Sequence, residues 1–245
     1  MKIAKPSIAL LLLTTLAAQA NAGTILGSKH DFTGLNKRAQ VAAMSGVAFA
    51  DYGSACVYCH IPAEKEGEES STLGGIPGWN RYTPATSTAY DLYDSRTLDN
   101  KVRSPSPISL LCLSCHDGTM SVDMTVFKPD GWDSSKDASL HVRLNGGNDL
   151  MSCGKCHKGD AAHSIEIKHI GTDLQNDHPI SMQYAGLNNR DMDYRPPDND
   201  WGFDNGVKLY DSRVECATCH NVHNPDVNLL LRVGADSLCE TCHTK

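Results

Sequence analysis

Five times in 245 residues the chain repeats one pattern: two cysteines two residues apart, with a histidine directly after the second. The copies are Cys56-Val-Tyr-Cys59-His60, Cys112-Leu-Ser-Cys115-His116, Cys153-Gly-Lys-Cys156-His157, Cys216-Ala-Thr-Cys219-His220 and Cys239-Glu-Thr-Cys242-His243. Together they use all ten cysteines. With this Cys and His content, chance would supply roughly two hundredths of one such run. C-x-x-C-H is the covalent attachment signature of a c-type haem. Two thiols at this spacing add to the two vinyl groups of a single porphyrin, and the adjacent imidazole binds the iron from below. Competing readings account for less. Zinc sites do not demand a His after every second Cys. Five disulfides would leave five histidines unexplained, and a thioredoxin-like C-x-x-C occurs once, beside a βαβ pattern. The expected cofactor is therefore haem c, five copies.

Five haems constrain the fold severely. Residues 1–22 read as a secretory signal, with Lys2 and Lys5 as the basic start, Ile8 to Ala18 as the apolar run and Ala20-Asn21-Ala22 as the cleavage site. The apolar run is too short to span a bilayer, and no later stretch approaches that length, so no transmembrane anchoring is expected. No Cys follows the cleavage site to carry a lipid. Residues 23–245 are left as one domain, about 45 residues per haem. Aromatics are only 6%. Such a chain has few side chains for a core of its own, and the porphyrins must supply the apolar interior. The expected fold is mostly irregular coil with short helices, wrapped around a closely packed chain of five covalently bound haems. A short helix is expected at Leu110-Leu111 ahead of the second motif, while Ser104-Pro-Ser-Pro107 argues against a longer one.

Charge narrows the partners. Formal net charge is −7, and losing Lys2 and Lys5 with the leader makes it −9. Nucleic acid is excluded on this balance; cationic partners or metal ions suit it better. The acidic stretch 188–206 lacks the closing Glu of an EF-hand, which favours a solvated loop over a calcium site. Leu92-Tyr-Asp-Ser-Arg96 recurs as Leu209-Tyr-Asp-Ser-Arg213, an echo too short to establish duplication.

The remaining histidines suggest how the irons are completed. Eleven histidines less five in the motifs leave His30, His141, His163, His169, His178 and His223 for five sixth positions. Bis-His ligation would give low-potential haems. His223 follows His220 too closely to cap the same iron, so it must serve another. His30, His178 and His223 rank first as distal ligands, His163 and His169 next, and His141 is left as the spare.

The runs Ser-Lys-His30-Asp-Phe, Cys-Val-Tyr-Cys-His60, Pro-Gly-Trp79-Asn-Arg-Tyr, Leu-Cys-Leu-Ser-Cys-His116-Asp-Gly-Thr, Asp-His178-Pro-Ile-Ser and Cys-Ala-Thr-Cys-His220-Asn-Val-His223-Asn resemble the doubled-CXXCH multihaem cytochromes. That group includes outer-surface cytochromes that polymerise into conducting filaments in metal-reducing bacteria. The resemblance implies low-potential bis-His haems in a continuous chain, exported to the periplasm or the outer surface. It also implies redox proteins or extracellular metal acceptors as partners, and a homopolymer in which one ligand, such as His30 near the mature terminus, crosses to the next subunit. Relatives often carry a further His three residues after the first proximal one, where this chain has Ala63. The filament-forming relatives have four haems, and the Cys153 motif with His141 and His163 looks like an added unit. Electron transfer without bond chemistry is the leading expectation. A multihaem reductase of a small nitrogen or sulfur oxyanion would need an open iron, and a structural scaffold would not need five redox centres.

Overall fold

The computed structural model describes residues 23–34, 50–65, 67, 78–82, 90–98, 100, 102–118, 120, 122–133, 170–188, 191–224 and 228–244. The leader, the Cys153–His157 motif, His141, His163 and His169 lie outside them.

Regular structure is sparse and gathers where the cysteines are. Helix α1 spans Pro107–His116 and ends on the second motif. Helix α2 spans Cys216–Cys219, and α3 spans Ala235–Cys242. Strands β1 (Met182–Gln183) and β2 (Arg213–Val214) pair antiparallel, with Met182 opposite Val214. Three short 3-10 turns (Ala63–Lys65, Ala185–Asn188 and Asn228–Leu230) apart, the other described residues are coil and turn. Pro107 opens α1, where its missing N–H costs nothing and its fixed φ is already helical. The expected short helix is there, and the proline that argues against a longer one marks its start.

Among the described residues the buried apolar side chains form two small clusters. One joins Met182, Tyr184, Phe203, Val207, Leu209 and Val214, with Tyr194, Leu238 and Cys242 against it. The other joins Ala50, Tyr52, Val57 and Tyr58, with Phe32, Val122 and Trp132 packed on it. Val57 and Tyr58 are the two residues between the first pair of cysteines, and Cys242 closes the last motif. Each cluster therefore abuts an attachment loop.

The repeated pentapeptide does not adopt one backbone. Asp211 and Ser212 have φ of 51° and 59°, a left-handed turn leading into β2, whereas Asp94 and Ser95 are not left-handed. The acidic loop turns carboxylates onto its own backbone: Asp204 donates its N–H to Asp198 Oδ2 at 2.9 Å, and Asp193 donates its N–H to Asp191 Oδ1 at 2.9 Å. Among the described residues no group of three or more His, Cys, Asp or Glu side chains is placed to hold a metal ion. None of the described helices is long and apolar enough to cross a membrane.

Candidate functional site

Each described C-x-x-C-H run is a single helical turn. His60 donates its N–H to the Cys56 carbonyl at 2.7 Å, His220 to Cys216 at 3.1 Å, and His243 to Cys239 at 2.9 Å. In the second motif the turn is the last of α1. Residues three and four apart share a helix face. The turn therefore sets both thiols and the imidazole on one side, which is what bonding one porphyrin at two vinyls and its iron requires. All eight described cysteines are free thiols, so none of the four runs is a disulfide half.

The chain then brings a second histidine to three of the four described motifs. His30 faces His116 with ring centroids 6.1 Å apart, His223 faces His60 at 6.1 Å, and His178 faces His243 at 6.5 Å. A metal–imidazole bond is about 2.0–2.1 Å, which puts two ring centres about 6.2–6.4 Å apart across one metal. The three pairs match that span. None is local: the partners are separated by most of the chain or by an intervening motif. His30, the arm expected to reach a neighbouring subunit, sits against His116 of its own chain. Phe32 secures it by an edge-on contact with Tyr58 at 5.2 Å.

Burial favours the neutral, metal-ligating form in His30, His60 and His243. Burial first, then the proximity of His116 and His220, takes His30 down to about 4. His60 is lowered by burial and by His223, and His243 by burial and by His178. Two of the rings have the proton placed. His178 Nδ1 lies 3.0 Å from the Pro179 carbonyl, and His220 Nδ1 lies 3.0 Å from that of Leu229, leaving Nε2 of each for another bond. The Leu229 carbonyl is aimed by a strained turn, since Leu229 and Leu230 both have left-handed φ, 59° and 57°.

The residues fit a covalently bound haem on further grounds. His30 Nδ1 and Trp79 Nε1, both beside motif histidines, are buried without a hydrogen-bond partner. Such orphan groups call for a polar group of a bound molecule. A cavity of about 340 Å³ opens along Cys56 and His60, walled by Tyr52, Val57, Ile61 and Pro129.

Thiols of different motifs also lie close enough to influence one another. Burial and then Cys115 raise Cys59 to about 12. Cys112 and Cys216 share a hydrogen bond that raises the former and lowers the latter. Burial and then Cys242 raise Cys219 to about 11. These influences link the first motif to the second, the second to the fourth and the fourth to the fifth.

Several residues that hold the site escaped sequence reading. Buried Arg81 donates from Nε to Ser114 Oγ (2.9 Å) and from a terminal nitrogen to the Val122 carbonyl (2.8 Å). Glu215, buried beside Cys216, accepts from Ser109 on α1 and from Ser181 Oγ at 2.9 Å. Tyr184 donates its hydroxyl to the Arg195 carbonyl at 2.7 Å and lies 3.1 Å from that of Cys242. No spacing rule marks these residues: Arg81 and Tyr184 meet their motifs only in three dimensions, and Glu215, though next to Cys216, finds its serine partners the same way.

Residues 211–245 match the family model of the doubled CXXCH motif. No curated protein matches the chain. The matched segment holds the fourth and fifth motifs entire, and it supports a multihaem c-type cytochrome with a role in haem-based electron transfer.

Proposed function

We propose that this chain is an exported electron carrier holding five haems c. Cys56/Cys59, Cys112/Cys115, Cys153/Cys156, Cys216/Cys219 and Cys239/Cys242 form the thioethers, and His60, His116, His157, His220 and His243 are the proximal ligands. The observation that carries the reading is the set of imidazole pairs spaced to share a metal, His60/His223, His116/His30 and His243/His178. His141, His163 and His169 remain as the intrachain candidates for His157 and His220. Bound in this way, haem supplies a one-electron iron couple, and two neutral imidazoles set its potential low.

The chain's own contribution is spacing and insulation. By packing Cys59 near Cys115, Cys112 against Cys216 and Cys219 near Cys242 it would align four haems in the order first, second, fourth, fifth. Filling both axial positions with histidine leaves no site for a substrate, which favours transfer over reduction of a small oxyanion. Redox proteins or extracellular metal acceptors are the partners such a carrier serves, in the periplasm or at the outer surface. A homopolymer would have to be built without His30, whose imidazole is engaged within its own chain.

The test is the mature protein produced with cytochrome c maturation. Its mass in denaturant should equal the polypeptide plus five haems. Its oxidised spectrum should lack the high-spin charge-transfer band, and carbon monoxide should leave the reduced spectrum unchanged. Four haems or fewer at full occupancy would break the count, and one stoichiometric CO-binding haem would favour the reductase.

A further inference from the structure

Three of the attachment turns end in the same arrangement, although nothing in the sequence repeats there. After His60, His220 and His243 the chain leaves the helix and forms an isolated antiparallel bridge, with Trp79, Leu231 and Tyr194 respectively. The residue following each histidine donates its N–H across the bridge: Ile61 to Gly78 (2.9 Å), Asn221 to Leu230 (2.7 Å), Thr244 to Asp193 (2.9 Å). In a continuing helix that N–H would have gone to the carbonyl of the first residue between the cysteines. This carbonyl is therefore left over at the helix end. In every case one side chain reaches back to it. Asn80 Nδ2 donates to Val57, Arg232 Nε to Ala217 and Arg195 Nε to Glu240, each at 2.7 Å. The same three residues donate their backbone N–H to the second cysteine's carbonyl, each at 2.8 Å.

We propose that Asn80, Arg195 and Arg232 are one recurring positioning device, which locks the attachment turn and so fixes the plane of the proximal imidazole at the first, fifth and fourth haems. The proposal rests on the haem reading above. Connectivity cannot explain the recurrence, because the bridging segment follows its motif in two cases and precedes it in the third. The two cationic members sit at the carbonyl end of a helical turn, where positive charge is favoured. The second motif lacks the bridge, and there Asp117 continues the helix with its N–H on Leu113. Its turn is held instead by Arg81, the immediate neighbour of Asn80, so one dipeptide grips the first two turns together.

Arg195 gives the cleanest test, because it is the exposed member of the three. Full-length holoprotein is compared as wild type, Arg195→Met and Arg195→Lys by intact mass, thermal melting and low-temperature electron paramagnetic resonance. The Met variant should keep every covalent haem while one low-spin signal shifts, and the Lys variant should fall between Met and wild type. Arg232→Met should shift a different signal. Loss of only the haem on Cys239 and Cys242, located by peptide mass, would also support the device. Low-spin signals coincident with wild type in both Met variants would overturn it, whatever the melting temperatures do. A wild-type protein without covalent haem would overturn the reading beneath it instead.

Discussion

Removing the Glu215 side chain should cost far more than its distance from any iron suggests. The carboxylate is fully buried and accepts hydroxyl hydrogens from Ser109 and Ser181, themselves fully buried. Ser109 Oγ accepts in turn from the Cys216 N–H at 3.2 Å, and Ser181 Oγ from the Ser106 N–H at 2.8 Å. Four points of the chain thus meet at one side chain: the start of α1, its first turn, the residue before β1 and the start of α2. A hydrogen bond to a charged group contributes about 1.5–3 kcal/mol, so losing two in Glu215→Ala should destabilise by about 3–6 kcal/mol. Glu215→Gln keeps the shape and one acceptor, and should lose about half as much. Guanidinium unfolding of the haem-loaded protein, followed by far-UV circular dichroism, reads both values. Amide exchange should quicken at residues 107–116 and 216–219 together, because the hub joins the second and fourth motifs. A Glu215→Ala protein within about 1 kcal/mol of wild type would refute the reasoning, since a hub with substitutes cannot be the tie.

The axial pairs predict that His223→Ala, His30→Ala and His178→Ala each convert one haem, and a different one, to high spin with carbon monoxide binding; unchanged spectra would dissolve the pairing. Gly23→Ala should disturb the ligand at His60, because a Cβ on Gly23 would lie 1.6 Å from the His223 carbonyl oxygen; the check is whether that haem's signal broadens or turns high-spin. Arg81→Met leaves buried acceptors on Ser114 and Val122 unpaired and should cost about 3 kcal/mol by denaturant melting, at about 1–3 kcal/mol per orphaned group. Leu229 is exposed in a left-handed conformation, so Leu229→Asn should raise stability by about 0.5–1 kcal/mol; a loss instead would mean the leucine is covered in solution.

What could be read from the sequence was chemistry that spacing dictates. The cysteine pairs and proximal histidines needed only local geometry, and so did the shortage of core residues and the helix at Leu110-Leu111. His223 was assigned away from its neighbouring iron by reach alone, and it lies beside His60. Which motif histidine each of His30, His178 and His223 faces was not legible, because the pairing is made by chain crossings. The clamps were hidden for the same reason. Asn80, Arg195 and Arg232 follow bulky residues with no common motif, and their distance from the cysteines varies in size and direction. The resemblance sends the His30 arm to a neighbour, whereas Phe32 against Tyr58 anchors it in its own chain, a contact whose two halves lie on separate segments.

The pairing of His60 with His223 also imposes an order of events. A chain delivered across a membrane from its amino terminus presents Cys56 and Cys59 for modification long before residue 223 emerges. On the proposed reading, the first centre loaded would wait, half-ligated and open to wrong partners such as His30, until nearly the last segment arrives. Closure of the molecule is thus a late, long-range event of the sort that slows folding. Damage close to the carboxyl end should then be felt first at the first motif.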